Sequence, residues 1–220
     1  MSELTQARLR AGVVAVAPIV VLFAFLYQPY IADFNDNAAF AGGVAADTTR
    51  WAWATTITAV GLALTALLIV SLRSYLRAAG EQLWSFIAVP LVVVGAVLIA
   101  YVTGVNLGLA NAIEAGASGE AVLKAGEPWF FGTILPTTII FGLGWLSLAA
   151  AVYKSEVLSR QLTWVVVGAL VVLTVALFTT TGWGRYVIGV ALIAASWPLA
   201  YQMWIETREA PMAGAQPSPE

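Results

Sequence analysis

Apolar runs without a charged side chain recur along this chain: residues 11–32, 51–72, 82–113, 128–153, 161–184 and 186–205 each hold 20 or more uncharged positions. An α-helix rises about 1.5 Å per residue and the hydrocarbon core of a bilayer is about 30 Å thick, so each run is long enough to cross it. The pattern predicts an all-α integral membrane protein, a six-transmembrane-helix bundle. Its helices are expected at about 11–30, 51–72, 84–103, 129–153, 162–180 and 184–204, together forming one membrane domain over residues 1–205. Two long connections, 31–50 and 104–128, fall on one side of that bundle, and short charged links at 73–83 and 154–161 on the other. In the second long connection Ser118 precedes Glu120-Ala-Val-Leu-Lys124, a pattern for a short capped surface helix, and Pro128 presets the start of the fourth crossing. Residues 206–220, with Pro211, Pro217 and Pro219, read as a disordered cytoplasmic tail.

All 22 charged side chains lie between or beyond the apolar runs. Arg8, Arg10, Arg73, Arg77, Lys154, Arg160 and Arg208 fall on the side of the short links, against Arg50, Lys124 and Arg185 opposite. By the positive-inside rule this places both termini in the cytoplasm and the chain in the cell membrane. The long connections are net acidic, holding Asp33, Asp36, Asp47, Glu114, Glu120 and Glu127. Tyr and Trp residues at the ends of the runs, Trp51, Trp53, Trp129 and Trp183 among them, fit headgroup-level belts, while Trp145 and Trp197 lie deeper, where an indole N–H needs a partner. Arg8 and Arg10 before the first run, with Ala39-Phe40-Ala41 beyond, faintly resemble a secretory signal. The run ends near Tyr27, too far from that Ala-x-Ala for ordinary cleavage, so a retained first helix is expected.

Two hairpins look alike. Trp51 opens the second crossing and Trp129 the fourth; each descends to a Tyr (Tyr75, Tyr153) and returns from a Trp (Trp84, Trp164), at offsets of 78, 78 and 80 residues. Both enter from the same side, so a duplication would be parallel, relating crossings 2–3 to 4–5.

Composition then narrows the chemistry. The chain of 220 residues is 60% hydrophobic, and it has neither Cys nor His. Disulfides, thiolate sites, bis-His haem and the usual zinc sites are thereby excluded, and no metal or cofactor is expected. A net charge of −2 without a basic cluster excludes nucleic acid as a partner. Eight Arg against two Lys, with abundant Ala and Val, matches the composition of short multi-pass proteins from GC-rich prokaryotic genomes. Arg50-Trp51-Ala52-Trp53-Ala54-Thr55-Thr56 resembles a third-helix segment of microbial rhodopsins. Against that likeness, the last crossing has no Lys for a Schiff base, the segment lacks the partner aspartate, and the chain is one helix short.

No ionisable residue is expected at mid-membrane, so the candidate binding residues are uncharged: Thr55 and Thr56, Thr137 and Thr138, and Trp145. Asp33 and Asp36, in the oxygen-rich stretch Asp33-Phe-Asn-Asp36-Asn37, are the candidates at the surface. No catalytic residue is assigned. Stripes of small residues, Ala11 and Ala15, Gly142 with Gly144 and Ser147, Gly189, Ala191 and Ala195, indicate close helix packing within the chain or against a partner. The leading expectation is a non-enzymatic accessory, assembly or scaffold subunit contacting the lipid bilayer and a membrane protein partner or a second copy of itself. The alternatives are a transporter or channel for a neutral or lipid-like solute, and an outer-face enzyme using the loop carboxylates.

Overall fold

A backbone removed from water must satisfy its own N–H and C=O groups, and a helix does this within one segment. In the computed structural model, which describes residues 2–213, the helices follow as α1 (Glu3–Tyr27), α2 (Asn37–Ala46), α3 (Thr48–Ala78), α4 (Leu83–Glu114), α5 (Gly119–Ser155), α6 (Arg160–Ala176) and α7 (Gly182–Ala213). Five stretches, Leu4–Tyr27, Thr48–Ala78, Leu83–Glu114, Gly132–Ser155 and Gly182–Arg208, are long and apolar enough to cross a membrane, and Arg160–Ala176 is a shorter apolar helix. Large apolar side chains stay exposed on every long helix, Phe23, Leu67, Val97, Leu143, Val172 and Val190 among them. An aqueous surface would not tolerate that much contiguous apolar area. The architecture is consistent with a multi-pass helical membrane protein.

The six longer helices run alternately up and down and close a ring in chain order: α1 packs on α3, α3 on α4, α4 on α5, α5 on α6, α6 on α7, and α7 returns to α1. Glycines set the closest approaches. A Cβ at Gly95 of α4 would lie 2.6 Å from Phe141 Cδ2 of α5, one at Gly144 would meet the Val92 amide nitrogen at 2.8 Å, and one at Gly189 would meet Leu22 Cα at 3.1 Å. With Ala11, Ala191 and Ala195 also buried, these small residues are engaged inside the chain. Helix α2 caps one end of the ring, hereafter the α2 end, resting on α5, α4 and α3. The opposite, terminal half is filled by Leu68, Leu72, Leu76, Leu148, Val152, Leu170 and Leu199, all buried in one core.

The long connections are more helical than their polar composition suggests. Segment 31–50 contains α2, and α3 already begins at Thr48; segment 104–128 is the end of α4 and the start of α5. Asn106, Asn111 and Glu114 interrupt the apolar run, but they are compatible with a helix, which continues until Gly116 reverses the chain at φ 88°. The Ala117 amide then donates to the Ala112 carbonyl at 2.9 Å, and the same closure recurs after α3, where Gly80 has φ 93° and the Glu81 amide reaches the Leu76 carbonyl at 3.0 Å. Ser118 does cap a helix, accepting from the Ala121 amide at 3.3 Å, yet that helix runs unbroken through Pro128 and Pro136 to Ser155. Helix α6 stops at Ala176, short of the expected 180, and Thr179–Thr181 turn back toward the bundle. Helix α7 continues through Ala213 where a tail was expected from 206, helped by Tyr75 on α3, whose hydroxyl donates to Glu206 at 2.7 Å; residues 214–220 of that expected tail lie outside the described residues.

Candidate functional site

Because α6 is short, the turn after it meets the segment that follows α1. The Phe34 amide donates to the Thr180 carbonyl and the Gly182 amide to the Ala32 carbonyl, both at 3.0 Å. Glycine is required at Gly182, since a Cβ there would run into the Ile31 carbonyl oxygen. This backbone pairing makes a roof across the α2 end. Beneath it Phe34 packs edge-on to Phe40 at 5.3 Å, Phe40 on Trp51 at 5.5 Å, and the Trp51 indole N–H donates to the Asn106 carbonyl of α4 at 3.1 Å. Trp51 is fully buried; it is a packing residue of this end and not a member of a headgroup belt.

Under the roof the ring is hollow. A cavity of about 490 Å³ is lined from all six ring helices, with Phe25 on α1, Thr55, Thr58 and Thr65 on α3, Thr103 and Asn106 on α4, Thr138, Phe141 and Trp145 on α5, Leu173 on α6, and Arg185 on α7. Its size lies within the roughly 300–1,000 Å³ of small-molecule sites, and its walls, apolar with a few polar groups, match theirs. A second hollow of about 300 Å³ lies between α4 and α5 at the same end, with exposed Tyr101 and Trp129 at its rim. Gly108 and Gly126, which have nothing within 4 Å of a built Cβ, keep that groove open. Phe34, Asn35, Phe40, Val102, Asn106 and Phe130 border both hollows.

The polar atoms of the cavity wall fall into two kinds. Thr58, Thr65, Thr103 and Thr138 each return the hydroxyl proton to a carbonyl four residues back, at 2.7–2.8 Å. Thr55 does not: its Oγ1 is buried without a hydrogen-bond partner, and so is the Nε1 of Trp145, a residue 1% exposed. A buried hydroxyl or indole N–H left unpaired costs about 1–3 kcal/mol. Native structures keep few such groups; Trp84 Nε1 and Ser85 Oγ, outside the cavity lining, are unpaired as well.

The sequence candidates therefore separate. Thr55, Thr138 and Trp145 come together at the cavity. Thr56 is exposed and donates to the Ala52 carbonyl, while Thr137 is fully buried, donates to Thr133 at 2.7 Å, and lies outside the lining. Asp36 caps α2, accepting from the Ala38 and Ala39 amides at 3.0 and 3.1 Å, and Asp33 accepts from the Asn35 amide at 2.9 Å. Of the other acids of this end, Asp47 caps α3, Glu114 accepts from the Thr48 hydroxyl, and Glu127 accepts from the Asn37 amide group. Among the described residues no group of three or more His, Cys, Asp or Glu is placed to hold a metal ion.

Three lining positions escaped the sequence reading. Arg185 was counted with the surface bases, yet it is half-buried in the first turn of α7 with its guanidinium 3.6 Å from the centre of the Phe34 ring. Asn106 was assigned to a connection, and Thr65 was passed over. A signal existed, since Thr55, Thr58, Leu62 and Thr65 recur at helical spacing on one face of α3, as do Ile99, Val102, Thr103 and Asn106 on α4. No protein-family model, curated protein or solved structure matches this chain, so the cavity's own chemistry carries the functional reading.

Proposed function

We propose that the protein is a six-crossing membrane protein that binds a lipid-like solute in the cavity beneath α2, with α6 as the sixth crossing, the α2 end outward and the termini in the cytoplasm. The observation that carries the reading is the 490 Å³ hollow itself, roofed by the pairing of Phe34 with Thr180 and lined by apolar side chains with a few polar ones, Arg185 and Asn106 among them. A mostly apolar molecule with a polar group suits such a lining. The groove between α4 and α5, rimmed by exposed aromatics, supports access from the side, through the bilayer. Helix α6, with 17 residues, spans about 26 Å and meets the lower limit for a crossing. The small-residue stripes that suggested a partner face are used within the ring, which favours the ligand reading over a scaffold role.

The test is purification of the full-length protein in a mild detergent, followed by native mass spectrometry. One retained small amphiphile per chain is expected, and Val102→Phe, which fills the junction of the two hollows, should lose it while the unfolding temperature holds. A chain that retains nothing and binds no added dodecyl compound would overturn the reading. For the orientation, the absence of Cys makes any introduced thiol a unique reporter. Ser118→Cys should react with an impermeant reagent from outside the cell and Ser159→Cys should not; the reverse pattern would invert the topology.

A further inference from the structure

Among the described residues, Arg185 is the only charged one in the lining of the central cavity. A guanidinium carries five N–H donors. Its partners among the described residues are the Gln28 side-chain oxygen, which accepts one hydrogen bond from Nη1, the ring faces of Phe34 and Trp51, at 3.6 and 6.0 Å from their centres, and the neighbouring Tyr186 phenol. None of these partners is an anion, and four of the five donors are unspent. A cation beside apolar walls is poorly solvated, and removing it from water is unfavourable unless an anion meets it. The side-chain amides of half-buried Asn106 and exposed Asn35, which make no hydrogen bond among the described residues, stand in the lining at the same end. At the other end of the cavity the lining is Trp145, Phe141, Leu62, Leu192 and Thr65, whose hydroxyl is spent on the Gly61 carbonyl. The site is thus built with a cationic, amide-rich pole under the roof and a long, mostly apolar floor that ends at the Trp145 side chain. From Phe130 to Trp145 along α5 the distance is about 22 Å.

Building on the reading of this hollow as a ligand site, we infer that its ligand is an amphiphile with an anionic headgroup, a carboxylate or a phosphate, held by Arg185. The planar fork of the guanidinium fits either oxyanion in a bidentate contact, with Asn35 and Asn106 available to the remaining oxygens. The chain of the amphiphile lies down the cavity toward Trp145. A neutral lipid would leave the guanidinium unpaired, and a free inorganic anion would leave the apolar walls empty.

The experiment uses full-length protein stripped of bound lipid, with occupancy read by native mass spectrometry at pH 8. The probes are dodecanoate, dodecyl phosphate, dodecanol and inorganic phosphate. Both anionic amphiphiles are expected to bind at least about tenfold more tightly than dodecanol. Arg185→Gln should erase that preference while leaving dodecanol binding in place, and Arg185→Lys should keep part of it. If dodecanol equals the two anions in the unmodified protein, the headgroup assignment is overturned and the cavity reading stands. Competition by inorganic phosphate at the same concentration as dodecyl phosphate would make this a free-anion site and overturn the inference. Failure of every amphiphile to bind removes the cavity reading itself. The comparison among probes on the unmodified protein decides the question even where Arg185→Gln does not fold.

Discussion

Thr55→Val exchanges a hydroxyl for a methyl group of nearly the same size and tests the orphan directly. Thr55 is 4% exposed and its Oγ1 has no partner, whereas Thr65, nearly three turns further along α3, donates to the Gly61 carbonyl at 2.8 Å. A buried, unpaired hydroxyl costs about 1–3 kcal/mol, and a made hydrogen bond contributes about 0.5–1.5 kcal/mol. In the ligand-stripped protein Thr55→Val should therefore stabilise by about 1 kcal/mol, and Thr65→Val should destabilise by a similar amount, leaving the two variants roughly 2 kcal/mol apart. Reversible unfolding of the two variants in mixed micelles measures both. If the stripped Thr55→Val protein is destabilised as much as Thr65→Val, the hydroxyl of Thr55 is already paired and the reasoning from orphaned atoms fails.

Other perturbations follow from the same contacts. Gly95→Ala places a Cβ 2.9 Å from the Phe141 backbone at the tightest part of the α4–α5 crossing; it should cost about 1–3 kcal/mol in unfolding and alter the near-ultraviolet dichroism of Trp145, which packs on Phe141 at 5.5 Å. Glu81 caps α4, accepting from the Trp84 and Ser85 amides at 2.7 and 3.0 Å. Burial pushes its pKa up, but the amides at the helix start outweigh burial and hold the carboxyl below the ordinary range. Its contribution is then present above about pH 4.3 and is lost as pH falls through the lowered value, so Glu81→Gln should flatten the acid limb of the stability profile and cost about 0.5–2 kcal/mol at pH 7. Glu156 ends α5 at φ 52°, a conformation glycine adopts without strain, and Glu156→Gly should raise stability by up to about 1 kcal/mol in thermal unfolding.

The charge-free runs announced the long helices because exclusion of charge is what the bilayer demands of a lipid-facing segment. The same rule hid the helical ends beyond the apolar core. Asn106 and Glu114 belong to α4 although they interrupt its apolar run, since hydrogen bonding along the helix axis does not depend on the side chains' affinity for lipid. Of the candidate site, Thr55, Thr138 and Trp145 were legible as polar atoms in an apolar context, while Thr56 and Thr137 came with them because adjacent positions on a helix face different directions. Arg185 was not legible. Its place one residue beyond a charge-free run reads as a surface position, and only the early stop of α6 and the pairing of Phe34 with Thr180 bring it under a roof.

The shape of the cavity also discriminates among the transport readings. Below Trp145 the ring is packed with Leu68, Leu72, Leu76, Leu148, Val152, Leu170 and Leu199; of the hydroxyls buried in that half, Ser71, Thr163 and Ser196 are bonded to carbonyls of their own chain segment and Ser85 is not. A conducting pore would require this floor to part along the whole terminal half, exposing apolar side chains to water on the way. Exchange with the bilayer asks for much less. The central cavity and the α4–α5 groove share Phe34, Asn35, Phe40, Val102, Asn106 and Phe130 as their common border, and the latch beside it is the single Asn37 to Glu127 hydrogen bond at 2.9 Å. That hydrogen bond contributes only about 0.5–1.5 kcal/mol, and the rest of the border to be moved is local, the packing of Phe34 on Phe40 and the Phe34 amide bond to Thr180. The physical cost of the two routes thus favours a site loaded and emptied sideways at the α2 end over a channel through the bundle.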